Sequence, residues 1–298
     1  MALKILYAEI GQRLRAFRLG SGLSAEEIAR RIGISRTALY RLEKGEVVKI
    51  ETLANLSELL GVSLPTLLGV EIEYISSALT YFERLRQLED TAEHIAVLAG
   101  PISFLLSSPA FENELETLLT ESVPENAPDR EKLLADIGEI LQILAERRRN
   151  FERRRPAVLN LISALDIERL LRAGFVGQPF LSAGDIRARK ARARAEIEHF
   201  ARIIEEQPIG VQIGLVADTL PHTGFMIFRH GERKTLSISP FRLGEQPNIR
   251  LGVAMITSSP EAVALHERLV GEMWRGALKG RDAAETLRRL IDSTSDNL

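Results

Sequence analysis

The sequence predicts an α+β fold, in which a helical N-terminal region precedes a larger region of mixed helix and strand. Three observations support this prediction. Residues 1–70 contain short segments with apolar side chains three and four positions apart, the period of amphipathic helices. Residues 129–155 and 182–206 are long segments rich in Ala, Leu, Arg and Glu, which have high helix propensity. From residue 209 onward, β-branched residues at a period of two predict strands.

Length and composition set the domain organisation. With 298 residues, 45% of them hydrophobic, the chain can bury two ordinary cores. We therefore expect an N-terminal domain over 1–70, a connector over 71–92 and a C-terminal domain over 93–298. The chain has no cysteine, which excludes disulfides, thiolate zinc sites and a cysteine nucleophile. It has neither an apolar run of about 18 residues nor the apolar core of a signal peptide, so we expect a cytoplasmic protein.

Residues 24–45, SAEEIARRIGISRTALYRLEKG, predict two short helices on either side of a tight turn. Ser24 and Glu27 have the spacing of a capping box, in which each satisfies a backbone donor of the other. Gly33 supplies the positive φ of a sharp helix exit. Ser35 is positioned to cap the second helix.

The second of these helices has a polar face. Leu39 and Leu42 are three positions apart and face the core. The opposite face carries Arg36, Thr37, Tyr40 and Arg41. Arg side chains on an exposed helix face suit the DNA major groove, where Arg bonds bidentately to guanine. The spacing is that of a helix-turn-helix. Residues 1–70 hold ten Lys and Arg against seven Glu, a balance of +3, whereas the rest of the chain is about −5.

Residues 9–69 resemble the lambda-repressor/Cro-like (XRE) DNA-binding domain, a bundle of five short helices. The resemblance implies base contacts from Arg36, Thr37 and Arg41, and an internal salt bridge between Arg18 and Glu43. The complete set of DNA-binding residues that it implies is Ser24, Ser35, Arg36, Thr37, Tyr40, Arg41 and Lys44, with Lys44 near a phosphate. The chain has Ala25 where many relatives carry a backbone-bracing Gln, although Ser24 at a helix N-terminus suits a phosphate. The alternative is an amphipathic helix pair that does not bind DNA.

The connector carries an apolar stripe at helical spacing, formed by Ile72, Ile75, Leu79 and Phe82. This pattern predicts a helix from Ile72 to Glu89 with a narrow buried face. Two roles for that face stay open. It is either a dimerisation seam or a surface that packs against the C-terminal domain.

The C-terminal domain is expected to contain a roughly four- to six-stranded sheet. Its predicted helices are 111–121, 129–155, 165–173, 182–206 and 260–279, and its predicted strands are 94–100 and four segments between 209 and 257, with a hairpin turn at His230-Gly231-Glu232. Residues 157–162 suit either a strand or a helix. The helix over 129–155 ends in six arginines, which we interpret first as a solvated helix end that complements the helix dipole. DNA or an anionic ligand is the alternative partner of Arg147, Arg148, Arg149, Arg153, Arg154 and Arg155.

The order of elements in the second half is weakly similar to phospholipase-D-like domains found in some bacterial regulators, with a GAF-like or PAS-like sensor as the rival. Enzymes of the phospholipase D family need a His followed two residues later by Lys. None of the five His residues here has that Lys. The sequence also lacks a phosphate-binding loop, a G-x-S-x-G motif and a metal-binding His pair. We therefore expect no catalytic residues, no metal and no cofactor.

Six polar residues near the predicted strand ends are the candidates for a ligand site. In a sheet whose strands end together, they would form one polar pocket that holds an acidic small molecule through bidentate Arg bonds. The alternative is that they are solvated turn residues. The candidates are Asp218, His222, Arg229, His230, Arg242 and Arg250.

Together these observations predict a sequence-specific transcriptional regulator that binds double-stranded DNA as a homodimer or higher homo-oligomer. Its C-terminal domain is expected to sense a small, anionic effector. One alternative is a C-terminal domain that only oligomerises or binds a protein partner. The other is an enzyme tethered to DNA.

Overall fold

The computed structural model describes residues 7–46, 49–70, 72–98, 100–178, 181–217, 220–221 and 223–294. Five helices precede a mixed α/β region, as the sequence predicts. The helices are α1 (Tyr7–Ser21), α2 (Ala25–Ile32), α3 (Arg36–Glu43), α4 (Ile50–Leu60), α5 (Leu64–Leu68), α6 (Ala78–Glu89), α7 (Pro109–Glu121), α8 (Arg130–Arg154), α9 (Ala164–Ala173), α10 (Ala183–Glu206), α11 (Pro260–Gly276) and α12 (Gly280–Ser293). The strands are β1 (Glu73–Ile75), β2 (His94–Leu98), β3 (Ala157–Ser163), β4 (Val211–Val216), β5 (Gly224–His230), β6 (Arg233–Ser239) and β7 (Ala254–Thr257).

The described strands form one sheet in the order β1-β7-β6-β5-β2-β3-β4. Strands β2, β3 and β4 are parallel, and the remaining neighbours are antiparallel. The strands β1 and β4 lie at the two edges. The predicted turn joins β5 to β6, where His230 pairs with Arg233 and Gly231 has a φ of 58°.

The two faces of the sheet are covered unequally. Alternate residues of β2 divide between the faces, with Ile95 and Val97 on one and Ala96 and Leu98 on the other. The first face carries the main core, to which α6, α7, α8, α9, α10 and α12 contribute. Among the described helices, α11 alone contributes to the core on the second face, chiefly through its buried valines. The core that α11 forms on this face includes residues of β2 to β6. The face of β1 and β7 is not covered by α11, so Tyr74 of β1 is exposed.

The predicted connector helix is wrong over its first turn. Glu73–Ile75 forms β1, which pairs antiparallel with β7, and Ser77 caps a helix that begins at Ala78. Strand pairing at the sheet edge therefore overrides the helical spacing of the apolar residues. Ten of the twelve residues of α6 are buried within the chain. The helix therefore packs inside the molecule and offers no dimerisation seam.

Three further expectations about the C-terminal domain are corrected or resolved. The described sheet has seven strands rather than four to six, and the undecided segment 157–162 belongs to β3. The last predicted helix ends at Gly276, and α12 follows it without having been predicted. The break between the helices places Leu278 beside β4, where it forms a one-residue antiparallel bridge with Leu215. The break between the two helices depends on this contact with a distant strand, so the local sequence pattern did not predict it.

The arginines at the end of α8 are not all solvated, which corrects that interpretation. Arg147 is buried and forms a bidentate ion pair with Glu89 of α6, at 2.7 and 2.8 Å. Arg148 is bound by Glu112 and by the carbonyl oxygens of Phe104 and Leu105. These two side chains fasten α8 to its neighbours, whereas Arg149, Arg153, Arg154 and Arg155 are exposed.

Candidate nucleic-acid interface

The turn between α2 and α3 forms as its sequence predicts, with one difference. The Ser24 hydroxyl accepts the Glu27 backbone N–H at 3.1 Å. The Glu27 carboxylate does not complete the capping box, because it binds Arg30 and Arg31 instead. Gly33 ends α2 with a φ of 73°, and the chain turns there into α3.

Helix α3 is held by its apolar side and leaves its polar side exposed. The Ser35 hydroxyl caps the helix by accepting the Ala38 N–H at 3.0 Å. Leu39 is fully buried in the small core of the N-terminal region. Arg36, Thr37 and Arg41 are exposed, as are Ser24, Ser35 and Lys44. The structure therefore leaves these predicted DNA-contacting residues exposed, with Ser24 and Ser35 at the N-termini of α2 and α3.

Tyr40 organises the arginines around it. Its hydroxyl accepts hydrogen bonds from Nε and Nη2 of Arg36 at 3.3 and 3.2 Å. The guanidinium carbons of Arg36 and Arg18 lie 5.4 and 5.9 Å from the centre of its ring. Such contacts reduce the rotamer freedom that Arg36 would lose on binding DNA. Tyr40 is itself half-buried, which suits a positioning role.

Arg41 has an intramolecular partner on the same exposed surface. Its Nε lies 2.7 Å from both carboxylate oxygens of Glu46, and its Nη2 lies 2.6 Å from one of them. Hydrogen bonding to Arg41 lowers the pKa of Glu46, so both groups stay charged at neutral pH. Exposed ion pairs are weak. Arg41 can therefore exchange Glu46 for a base edge, but Glu46 competes with DNA for it.

The expected Arg18–Glu43 salt bridge is confirmed. Arg18 Nε lies 2.5 Å from Glu43 Oε1, and Arg18 Nη2 lies 3.1 Å from Glu43 Oε2. The side chains are 13% and 6% exposed. The pair joins α1 to the last residue of α3, so it helps to fix the orientation of the polar face.

A second, deeper ion network joins α1 to the C-terminal region. Glu73 of β1 is buried and accepts hydrogen bonds from Arg13 Nε at 2.8 Å and from Arg84 Nε and Nη2 at 2.8 Å each. Burial by itself would raise the pKa of Glu73, but Arg84 and Arg13 outweigh it and hold the pKa below its usual value. Glu73 therefore bridges α1, β1 and α6 as a carboxylate.

Two glycines let α1 pack closely on both sides. A Cβ on Gly11 would lie 2.5 Å from the backbone oxygens of Leu42 and Glu43, at the end of α3. A Cβ on Gly20 would lie 1.8 Å from Thr80 Oγ1 at the start of α6. Helix α1 is therefore packed between α3 and α6. The contact with α6 therefore lies on α1, and the polar side chains of α3 stay exposed.

The candidate ligand residues do not converge. Arg229 and His230 end β5, whereas Arg242 and Arg250 lie beyond the opposite end of the β5–β6 pair. The single pocket expected for them is therefore not formed by these four residues. Asp218 and His222 lie outside the described residues. The separation follows from the antiparallel pairing of β5 and β6, because the last residues of two antiparallel strands lie at opposite ends of the pair.

Each described candidate has local contacts of its own. His230 Nδ1 lies 3.0 Å from Thr91 Oγ1, and partial burial lowers the pKa of its imidazole. Arg242 Nε donates to the Gln246 carbonyl at 2.7 Å. Arg250 is exposed, and its backbone N–H donates to Asn248 Oδ1. The described residues contain no cluster of three His, Asp or Glu that would hold a metal ion. None of the described helices has the length and apolar character needed to cross a membrane.

Comparison with known proteins agrees with the geometry of the N-terminal region. Residues 9–68 match the family model of a helix-turn-helix domain. A search of curated proteins finds no match for the chain. The chain thus contains a helix-turn-helix domain, which indicates a DNA-binding regulator.

Sequence reasoning missed the residues that set how this domain is held and used. It did not single out Arg13, Glu73 or Arg84, because a buried three-residue network of distant charges has no local signature. The competing Glu46 had a weak signal, since it lies five residues after Arg41 and just beyond the end of α3.

Proposed function

We propose that this protein is a sequence-specific transcriptional regulator of the XRE type, which binds double-stranded DNA through α3. The observation that carries the proposal is the exposed row of Arg36, Thr37 and Arg41 on a capped helix whose other side is buried. Arg at such positions reads guanine in the major groove. The polar side of α3 is exposed, so its side chains are available to a duplex.

Each residue of the interface has a distinct role in this proposal. Arg36 and Arg41 contact base edges together with Thr37, and Tyr40 holds Arg36 in place. Lys44 contacts a phosphate, and the N-termini of α2 and α3 at Ser24 and Ser35 receive two more. Lys44 therefore contributes to affinity for any sequence, whereas the arginines contribute to discrimination.

The protein acts in the cytoplasm as a homodimer on a two-fold-related site, because a single domain of this size makes few base contacts. Half-sites about one helical turn apart, roughly 34 Å, suit two such domains. The C-terminal domain performs no catalysis in this proposal. It resembles a non-catalytic phospholipase-D-like domain, a likeness supported by a mixed sheet with helices on both faces.

The C-terminal domain is proposed to respond to an effector, and a small anionic ligand stays a prediction. Thermal shift of the full chain with a panel of small carboxylates and phosphates tests that ligand. Arg242→Ala and Arg250→Ala should reduce the shift while leaving DNA binding by the unliganded protein intact. An unchanged melting temperature across the panel would favour a protein partner.

Sequence-specific base recognition is tested by selecting binding sites from a random DNA library. The affinity of the protein for the selected DNA is then measured by fluorescence anisotropy titration. Arg36→Ala and Arg41→Ala should each weaken specific binding about 5- to 150-fold and relax the preference. Lys44→Ala should weaken binding to specific and random DNA alike. Arg268→Ala, an exposed change on α11, serves as the control. Equal losses on specific and random DNA for the two α3 variants would place base reading elsewhere.

A further inference from the structure

The backbone of the edge strand β1 has a free side, which follows from the registers of the sheet. The two-residue turn between β5 and β6 is closed by His230 and Arg233, which form a hydrogen-bonded pair. Bonded and non-bonded pairs then alternate along each antiparallel ladder. This alternation makes Met255 of β7 bond to β6 and makes its neighbours bond to β1. Tyr74, which lies opposite Met255, therefore points its N–H and C=O away from the sheet.

No described residue bonds to this free side. The backbone of Tyr74 has no partner there, and the backbones of Ile72 and Ser76, which follow the same alternation, have none within the described part of the chain. Tyr74 is 58% exposed and Ser76 is also exposed, so solvent reaches the edge over this length. The opposite edge strand, β4, differs, because its Val211 and Leu215 already bond to other parts of the chain.

The exposed face of this edge is apolar. Tyr74 lies beside Met255 on the face that α11 leaves uncovered. Val253 precedes Met255 by two residues, so it extends the same surface, and it is 55% exposed. The only charge of β1, Glu73, is buried on the other face and bound by two arginines. Free edges are usually protected by exposed charges, prolines or bulges, and the three residues of β1 include none of these.

The free edge lies next to the helix-turn-helix domain. Glu73 binds Arg13 of α1 at 2.8 Å, and three residues separate Gly69, which ends α5, from β1. Neighbouring strands lie about 4.8 Å apart, so two chains paired at β1 would hold their helix-turn-helix domains side by side. Two seven-stranded sheets paired at β4 would instead place the two β1 strands about 60 Å apart. Half-sites roughly 34 Å apart favour the first arrangement.

We propose that β1 is the homodimer interface and pairs with β1 of a second copy of this chain. The inference rests on the proposed function, since it supplies the contact that a two-fold-related DNA site requires. The strands pair antiparallel about a two-fold axis at Tyr74, whose N–H bonds to the C=O of the partner's Tyr74 and whose C=O accepts the reciprocal bond. The edge is self-complementary, because the axis brings each donor to the matching acceptor. The two tyrosine rings lie together on the uncovered face and add a cross-strand aromatic contact.

Disulfide trapping tests the pairing directly, because the chain contains no cysteine. In a hydrogen-bonded antiparallel pair the two Cα atoms lie about 5.5 Å apart, which is within the range of a disulfide. Tyr74→Cys should therefore form a covalent dimer under mild oxidation. Leu165→Cys places a cysteine on α9 at a residue of similar exposure, 61% against 58%, and should not be trapped. Equal cross-linking of the two variants would overturn the proposal.

Sedimentation equilibrium of the full chain measures the interface without cross-linking. Tyr74→Pro removes the two central N–H donors, which face away from β7, and should weaken dimerisation about tenfold or more. Tyr74→Thr removes the ring but keeps the donors, so it should dimerise more tightly than Tyr74→Pro. Tyr74→Lys places two like charges at the axis and should also weaken dimerisation, which keeps the test valid if the proline variant does not fold. Thermal melting followed by circular dichroism checks the folding of each variant.

The outcomes separate this interface from the proposed function. If Tyr74→Pro and Tyr74→Lys dimerise as well as the wild type, β1 is not the interface, whereas DNA binding by a homodimer stands. If the wild type stays a 33.2 kDa monomer at micromolar concentration, with and without DNA that carries two half-sites, the proposed homodimer fails together with this interface. Weaker dimerisation of both variants, together with selective trapping of Tyr74→Cys, supports pairing at β1.

Discussion

Glu73→Gln tests whether the buried ion network holds the helix-turn-helix domain against the C-terminal region. The change keeps the shape of the side chain and removes its charge, which leaves Arg13 and Arg84 facing each other, each with a 5% exposed side chain. Removing one partner of a buried ion pair costs about 3–5 kcal/mol. Arg13 retains Glu9 at 3.3 Å, and Arg84 retains the Gln87 amide oxygen, so the lower end applies. We expect a loss of about 3 kcal/mol in the free energy of unfolding.

Urea denaturation of the full chain, followed by circular dichroism and by Trp274 fluorescence, measures this loss. Helical signal from the N-terminal region should melt before Trp274 reports unfolding in Glu73→Gln, because the docking is weakened first. The matched control is Glu267→Gln, which removes an exposed pair with Lys234 and should change stability by less than about 1 kcal/mol. Coincident transitions and equal stability in both variants would refute a coupling role for Glu73.

The pH dependence of the same variant gives an independent check. The pKa of Glu73 in the folded chain lies below its ordinary value of 4.5. The stabilisation from this carboxylate is therefore present above pH 4.5 and is lost as the pH falls through the lower, folded-state pKa. The difference in stability between wild type and Glu73→Gln should shrink below pH 4.5. A difference that grows in acid would contradict the ionised state assigned to Glu73.

Three further changes test the N-terminal region. Glu46→Gln should raise DNA affinity about two- to fivefold in anisotropy titrations, because Arg41 no longer has a competing carboxylate. Arg18→Ala should lower the free energy of unfolding by about 2 kcal/mol in urea, because Glu43 loses its partner while mostly buried, and replacing the pair by Met and Leu should recover much of it. Gly20→Ala should cost about 1–3 kcal/mol in the same assay, because the new Cβ overlaps a hydroxyl of α6.

Two of these changes have a matched control in the chain, and each has an outcome that would contradict it. Glu272→Gln on α11 tests whether any lost negative charge strengthens DNA binding, and an equal gain there would remove the special role of Glu46. A silent Arg18→Ala would show that its salt bridge does not stabilise the folded chain. Gly276→Ala introduces a Cβ with nothing within 4 Å. If it destabilises as much as Gly20→Ala, close packing of α1 is not the reason.

The docking of α1 also limits how an effector can act. Helix α6 is buried, and it is tied to α1 through the Arg84–Glu73–Arg13 network and to α8 through Glu89. A movement of α6 relative to α1 would expose these charges. We therefore expect the helix-turn-helix domain to move with the sheet as one body. Regulation would then change how two chains assemble.

The sequence by itself determined the local structure of this protein. Capping serines, the glycine at position 33 and helical or alternating apolar spacing are signals within a few residues, so they predicted α2, α3, α9, α10 and the hairpin at Gly231. The same local pattern placed Arg36 and Arg41 on an exposed face. The Arg18–Glu43 pair followed from resemblance to a known domain, since no local rule joins residues 25 positions apart.

Tertiary structure alone decided where distant segments meet. Apolar residues at 72 and 75 fit a helix, yet hydrogen bonding to β7 makes this segment a strand. The candidate arginines of the ligand site were separated because hairpin register, which sequence spacing does not reveal, sends them to opposite ends of the sheet. Glu73 became a buried bridge only through its contacts with Arg13 and Arg84, which lie 60 and 11 residues away. Burial and strand pairing are properties of the assembled fold, and these determine how the DNA-binding domain is held.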